Sequence, residues 1–226
     1  MNPKLSEELD QQGFAIVSTA LPSRHIDEIA LRLESLESDG PGSRTALDQD
    51  WCWQLAAFLR TLPVLSEVLG NLVAVQCTYF DKRSYGNWLV PIHQDLSIPV
   101  KEFVEAEALT VWTRKQGRIF VQAPADVLEK MIAVRFHLDD SDHGNGPLRV
   151  IAGSHRLGRI PSRDCARHRA EHGEVDCVVP RGGVILMKPL LLHASSKSVT
   201  SRRRRVLHFV FGPHDLPHGL AWAQAA

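Results

Sequence analysis

Residues 72–80 read LVAVQCTYF, and this run of β-branched and aromatic residues marks a change of texture in the chain. Such a composition is typical of a buried β-strand. Turn sequences, among them Gly144-Asn145-Gly146 and Arg181-Gly182-Gly183, divide the chain that follows into short segments of similar character. We therefore predict a short helix near residues 125–130 and further strands over residues 131–138, 147–151, 175–179, 183–187 and 206–211.

The chain before residue 72 has mostly helical patterns. A short opening helix closed by Gly13 and a strand over residues 14–18 are predicted first. Ser23 can cap a longer helix, which the turn sequence at residues 40–43 would break. The apolar face of that helix would comprise Ile26, Ile29, Ala30, Leu33 and Leu36, and two more helices are predicted near residues 51–59 and 64–69.

Helices followed by many short strands predict a mainly β protein with flanking α-helices. The architecture that fits best is a β-barrel or a double-sheet jelly roll, with the N-terminal helices packed outside it. A length of 226 residues suits one domain. We expect a single domain over residues 1–226, with a helical part at about 1–70 and a jelly-roll core at about 71–213.

The composition excludes several classes of protein. The 26 Lys and Arg residues balance the 26 Asp and Glu residues. The chain therefore lacks the net positive charge that would indicate a nucleic-acid partner. No apolar stretch is long enough for a membrane span, and the N-terminus has no signal-peptide pattern. The four cysteines show no CxxC spacing, which favours buried, reduced thiols in a cytoplasmic protein. We expect a small-molecule substrate, while the sequence does not define an oligomeric state.

The segment Pro91-Ile92-His93-Gln94-Asp95-Leu96 gives the first indication of chemistry. On an extended strand His93 and Asp95 would project from the same face, with Gln94 facing away. A third candidate ligand, His193, lies far along the chain in LLHAS. Two histidines and one carboxylate form the facial triad of non-haem Fe(II) oxygenases. Each part also has an ordinary interpretation, namely a chance surface pair for His93 and Asp95 and a core or capping residue for His193.

Arg204 strengthens the interpretation as a metal site, because it follows His193 by eleven residues on the next predicted strand. 2-Oxoglutarate can chelate iron through its 2-oxo acid end, and its far carboxylate then needs a cation. An arginine can grip both oxygens of that carboxylate, and Ser195 can donate a further hydrogen bond. Strand alternation points Arg204 inward if Val206 and His208 also point inward; in the opposite register, Arg205 is the alternative anchor.

At this point the sequence resembles the phytanoyl-CoA dioxygenase family over roughly residues 72–212. The resemblance implies a double-stranded β-helix, a cupin-like jelly roll, that holds Fe(II) near one open end. It also implies 2-oxoglutarate and O2 as co-substrates, with succinate and CO2 as products. The matching residues are His93-Gln94-Asp95, the segment from Asn145 to His155, His193-Ala194-Ser195 and Arg204.

The resemblance places iron on His93, Asp95 and His193, and the far carboxylate of 2-oxoglutarate on Arg204 and Ser195. Arg135 departs from the family, in which phytanoyl-CoA hydroxylase carries a tryptophan at the matching position. As a second inward cation it would hold the other carboxylate of 2-oxoglutarate or an anionic substrate, and the alternative is an ion pair with Asp139 or Asp140. Lys82 matches a lysine that can reach the pocket in many members, although most lysines are solvated.

These residues predict an Fe(II)- and 2-oxoglutarate-dependent dioxygenase that hydroxylates a small organic molecule. Halogenating relatives carry a small residue in place of the carboxylate ligand, so Asp95 favours hydroxylation. Two other classes stay open from the sequence: a non-catalytic jelly-roll module that binds metal or ligand, and a Zn(II) hydrolase that uses the same triad. In a Zn(II) hydrolase, Arg204 and Ser195 would have no function.

Overall fold

The computed structural model describes residues 3–34, 36, 42–83 and 86–226. The predicted helix break at Gly40 and Pro41 lies outside the described residues. None of the helices in the described ranges is long and apolar enough to cross a membrane. The helices are α1 Pro3–Gln12, α2 Ser23–Glu34, α3 Asp50–Thr61, α4 Pro63–Leu69, α5 Ala125–Glu129 and α6 Ser162–His172, with short 3-10 helices at Ala46–Asp48 and Ser154–Leu157.

The strands fall into three antiparallel sheets. A major sheet has the order β1-β11-β8-β13-β3-β2, a minor sheet the order β10-β9-β12-β4, and a small third sheet the order β5-β7-β6. The strands are β1 Phe14–Val17, β2 Gly42–Ser43, β3 Val73–Lys82, β4 Val90–His93, β5 Ser97–Val100, β6 Thr110–Lys115, β7 Arg118–Gln122, β8 Ile132–His137, β9 Leu148–Val150, β10 Val175–Cys177, β11 Val184–Met187, β12 His193–Ser195 and β13 Arg204–Gly212.

The major and minor sheets pack face to face and form the predicted jelly roll. Ala133 and Ile185 of the major sheet share one buried cluster with Leu148 and Val150 of the minor sheet. The N-terminal helices cover the opposite face of the major sheet, where Leu59 of α3 belongs to the same buried cluster as the outward-facing residues of the sheet. The prediction of helices packed outside a jelly roll is therefore confirmed.

Strand alternation gives β13 two different faces. Leu207 and Phe209 are fully buried among the residues that pack against the helices. Arg204 and His208, on the other face, line the cavity between the two sheets. This parity decides which side chains of the central strands can reach a ligand inside the barrel.

Several elements were not predicted. The third sheet has a proline in β5 and a largely exposed β6 with the sequence TVWTRK, so it lacks the apolar pattern of a core strand. Helix α6 buries only Cys165, so its sequence lacks the apolar periodicity that would predict a helix. The strand that carries His93 is also shorter than expected, because β4 ends at His93 and Asp95 lies beyond it.

Candidate active site

A cavity of about 430 Å³ opens between the two main sheets. Its lining includes the predicted metal ligands, a group of cations, and apolar residues of β7, β8 and α5. Asp95 is the one carboxylate residue among the described residues that line this cavity. The cavity thus combines a single acidic group with several basic ones.

The two candidate histidine ligands lie side by side on neighbouring strands. His193 of β12 pairs directly with His93 of β4, and their ring centroids are 4.2 Å apart. The Nε2 atoms of His93 and His193 each lie 3.6 Å from a carboxylate oxygen of Asp95. Three ligand atoms of the types that non-haem iron prefers therefore converge on one point.

Backbone carbonyl groups fix the tautomer of both histidines. Nδ1 of His93 donates to the carbonyl oxygen of Pro91, and Nδ1 of His193 donates to that of Leu191, each at 2.9 Å. A carbonyl can only accept, so the proton of the neutral imidazole sits on Nδ1. The Nε2 lone pairs then face Asp95, which is the arrangement that metal-binding histidines require.

Asp95 reaches the histidines by a route that strand alternation did not predict. It follows the end of β4, and its backbone N–H donates to the carbonyl oxygen of Pro189 at 2.9 Å. The side chain of Gln94 is buried and donates to the carbonyl oxygens of Gly158 and Leu190. The segment is therefore held by distant loops rather than by a continued strand, although His93 and Asp95 still point to the same place.

The charges of the triad are strongly coupled. Burial would raise the pKa of Asp95, but His193 and His93 outweigh it and hold that pKa far below its usual value. Burial lowers the pKa of His193 to about 4, whereas Asp95 outweighs burial at His93 and raises its pKa. An ionised carboxylate with a neutral His193 is the state that a divalent cation needs.

His208 is a neighbour of the triad to which sequence reasoning gave no role. Its Nε2 lies 3.8 Å from Asp95, and Arg135 donates from Nη1 to its Nδ1 at 3.2 Å. Burial and Arg135 lower the pKa of His208 to about 3, so the ring is neutral with its proton on Nε2. The inward parity shared with Arg204 was the available signal for this residue.

Three of the predicted co-substrate residues lie close together, and two of them, Arg204 and Ser195, line the cavity and form its cationic end. Arg204 and Lys82 are 3% and 1% exposed, and they are directly paired across β13 and β3. Lys82 donates from Nζ to Ser195 Oγ at 3.0 Å, and Arg204 donates from Nε to the carbonyl oxygen of Asn145 at 3.3 Å. Neither cation forms an ion pair with a carboxylate of the described residues.

The structure contradicts both alternatives for the arginines, namely Arg205 as the anchor of 2-oxoglutarate and an ion pair of Arg135 with Asp139 or Asp140. Arg205 points away from the cavity and forms a bidentate ion pair with Asp139, so it is not placed to anchor a ligand. Asp140 accepts a hydrogen bond from the backbone of Arg181. Arg135 therefore forms neither expected ion pair, and it lines the cavity beside His208 instead.

The cationic end of the cavity fits a small dianion. Burial and the neighbouring arginines lower the pKa of Lys82 to about 7, and burial with Arg135 lowers that of Arg204 to about 9. Buried cations without a negative partner are costly, because each is desolvated and repels the others. A ligand with two carboxylates would remove this cost, and Arg204 offers the planar fork that such a group prefers.

Two other histidine motifs lie outside this site. His155 contacts the backbone of Asp10 near a separate surface pocket. His168, Glu171 and His172 form a second group of potential metal ligands on α6. His168 is half-buried, and the side chains of Glu171 and His172 are exposed.

The match to a family model agrees with this geometry. The model of phytanoyl-CoA dioxygenases matches residues 9–206. The chain belongs to the phytanoyl-CoA dioxygenase family. Among curated proteins no sequence relative is found.

Solved structures share the fold of this phytanoyl-CoA dioxygenase family member at low sequence identity. AviO1 from Streptomyces viridochromogenes Tue57 is 20% identical with a TM-score of 0.67, and the match covers 96% of this chain and 97% of AviO1. HygX from Streptomyces hygroscopicus, solved with nickel and 2-oxoglutarate bound, is 17% identical with a TM-score of 0.67 over 96% of this chain and 89% of HygX. SnoN, a non-haem α-ketoglutarate-dependent epimerase from nogalamycin biosynthesis, is 15% identical with a TM-score of 0.69 over 98% of this chain and 85% of SnoN.

Proposed function

We propose that this protein is an Fe(II)- and 2-oxoglutarate-dependent dioxygenase that hydroxylates a small organic substrate and releases succinate and CO2. One observation carries the proposal: a His-Asp-His group lines the same cavity as buried cations that have no carboxylate partner among the described residues. Family membership supports this reaction type. The nickel and 2-oxoglutarate bound by the similarly folded HygX support the choice of ligands.

In this proposal His93, Asp95 and His193 hold the iron, and the open side of the triad stays free for other ligands. The backbone carbonyls of Pro91 and Leu191 keep the imidazoles in the required tautomer. Once bound, the iron supplies the oxidising chemistry that no side chain can provide. Because Asp95 is retained as a third ligand, oxygen transfer is favoured over halogenation.

The cations then position the co-substrate. Arg204, Lys82 and Ser195 would hold the far carboxylate of 2-oxoglutarate, and Arg135 would lie near the carboxylate next to the metal. Apolar lining residues, including Leu128, Met131 and Val210, limit the water around the reacting groups. A Zn(II) hydrolase or a non-catalytic module would need neither the buried cations nor their alignment with the triad.

The first test measures metal binding and co-substrate turnover separately. We expect the protein to bind one equivalent of Fe(II) and to form succinate from 2-oxoglutarate in the presence of Fe(II) and ascorbate. In Asp95→Ala, both the affinity for Fe(II) and the rate of succinate formation should fall by at least about tenfold. The experiment uses a His168→Ala/His172→Ala background, since this removes the second ligand group on α6 from the metal count. Unchanged iron binding in Asp95→Ala would refute the assignment of the triad.

The second test distinguishes the proposed co-substrate from the competing functions. Fe(II) with 2-oxoglutarate gives a weak visible charge-transfer band, and we expect Arg204→Met to require at least about tenfold more 2-oxoglutarate to develop it. Arg205→Met is the matched control, because its side chain pairs with Asp139 outside the cavity. A preference for Zn(II) without any such band would favour the hydrolase.

A further inference from the structure

Two cations of the cavity lining have no part in holding the metal or the co-substrate. Arg44 follows the short edge strand β2, and Lys115 is the last residue of β6. Both are half-buried and line the same cavity as the triad. Neither forms an ion pair with a carboxylate of the described residues.

The backbone around these two residues is held in place. The backbone N–H of Arg44 donates to Oε1 of Gln116 at 2.7 Å, which ties the segment after β2 to the turn between β6 and β7. Asp48 and Arg118 form an ion pair between the same two segments. Nζ of Lys115 lies over the ring of Phe120, 5.1 Å from its centroid. The two cations therefore share one wall of the cavity.

The charges of the cavity leave this wall unmatched. Asp95 would be neutralised by a divalent metal, and the two carboxylates of 2-oxoglutarate would face Arg204 with Lys82 at one end and Arg135 at the other. Burial and Arg44 lower the pKa of Lys115 while Asp95 raises it, so Lys115 senses both the second cation and the metal end of the site. A positive wall facing the reaction centre is suited to a negatively charged ligand.

We propose that the substrate carries an anionic group, a carboxylate or a phosphate, which Arg44 and Lys115 bind, while its apolar body lies against Phe120 and the neighbouring apolar lining. This inference rests on the proposed function, which assigns the deeper cations to 2-oxoglutarate. It selects acids over neutral molecules of the same shape. Because Asp95 is the one acidic lining residue, a cationic substrate would find no other partner among the described lining residues.

Matched pairs of probes test the proposal without knowledge of the natural substrate. Hexanoate with hexanamide, and phenyl phosphate with phenol, are titrated by ligand-observed NMR into protein loaded with Ni(II) and 2-oxoglutarate. We expect at least one anion to bind about tenfold more tightly than its neutral counterpart, since a charge-assisted hydrogen bond contributes about that factor. The two pairs also show whether carboxylate or phosphate is preferred.

The variants locate the effect. In Arg44→Gln/Lys115→Met the preference should fall to about twofold or less, whereas Arg114→Gln, an exposed neighbour on β6, should retain it. Circular dichroism checks that each variant is folded. Binding of neither anion, equal binding of the neutral partners, or a preference that persists in the double variant would overturn the proposal.

Co-substrate affinity separates this inference from the proposed function. Arg44→Gln/Lys115→Met should bind 2-oxoglutarate within about twofold of the wild type, because these side chains are assigned to the substrate. A large loss would place the wall at the co-substrate and overturn the inference. If wild-type protein bound no 2-oxoglutarate, the proposed function would fail, and the probe comparison would then be made on metal-free protein.

Discussion

Lys82 is a buried amine whose charge changes near neutral pH. Burial, Arg204 and Arg135 lower its pKa to about 7, so the free protein loses this positive charge as the pH rises through about 7. A bound carboxylate favours the protonated form and raises the pKa again. The affinity for 2-oxoglutarate should therefore be highest below pH 7 and should fall above it, by up to about tenfold per pH unit.

Calorimetric titration of 2-oxoglutarate into Ni(II)-loaded protein between about pH 6.5 and 8.5 measures this dependence. Lys82→Met should bind more weakly at the lower pH and should lose most of the slope. Lys188→Met is the control, because Lys188 lines a different pocket. An equal slope in Lys82→Met would assign the titration to another group.

The sequence predicted the types of site residue better than the way in which they are held. Ligand chemistry and spacing singled out His93, Asp95 and His193, and strand parity limited the inward arginine to Arg204 or Arg205 without deciding between them. The contacts that orient these residues are not evident from the sequence. The backbone of Asp95 donates to Pro189, and Gln94 donates to Gly158 and Leu190, which lie 64 and 96 positions further along the chain. Such contacts depend on the packing of loops, which local sequence patterns do not encode.

At the scale of elements, the turn before β9 supports the cationic end of the cavity. Gly146 has a φ of +69°, and a Cβ there would lie 2.3 Å from the carbonyl oxygen of Ser196 and 3.2 Å from Nζ of Lys82. Gly117, in the turn between β6 and β7, has a φ of +78° but nothing within 4 Å of its Cβ position. Both glycines thus have a left-handed backbone conformation, but a Cβ would clash at Gly146 and would lie in open space at Gly117.

Gly117→Ala should cost about 1 kcal/mol of unfolding free energy, which is the cost of a left-handed non-glycine residue. Gly146→Ala should cost at least about 2 kcal/mol more, because the methyl group must displace backbone. Urea unfolding compares the two, and only Gly146→Ala should also weaken 2-oxoglutarate binding. Equal stabilities would show that the turn at Gly146 relaxes without consequence.

Prediction of the elements succeeded where an element buries one regular face. The core strands β3, β8 and β13 and the helices α2 and α3 show clear apolar periodicity, and their structures follow it. The strand β6 and the helix α6 are mostly exposed or charged, so their apolar patterns are weak. Because a hydrogen bond from Arg44 to the turn of the β6–β7 hairpin brings Lys115 to the same wall, the positive wall could not be inferred from sequence.

At the scale of the whole molecule, the helical layer and the jelly roll share one buried cluster. Leu59 of α3 is fully buried in it, so Leu59→Ala should destabilise the protein by about 2–5 kcal/mol. Leu31→Ala is the matched control, since Leu31 is 67% exposed in α2 and should change stability by less than about 0.5 kcal/mol.

If residues 1–226 form one domain, helices and sheets should unfold together. Far-ultraviolet circular dichroism and tryptophan fluorescence should then give coincident denaturant transitions in wild type and in Leu59→Ala. Two separated transitions would instead indicate that the helical part at about 1–70 unfolds independently of the jelly roll.

The buried cations at and beside the cavity also connect this protein's lifetime with the supply of the proposed ligand. Lys82, Arg135 and Arg204 repel one another until an anion binds, so the ligand-free protein is the less stable form. A ligand present at about 100 times its Kd adds about 2.7 kcal/mol to the folded state. Since proteases act on transiently unfolded chains, we expect a cell with abundant co-substrate to degrade this protein more slowly than a starved one.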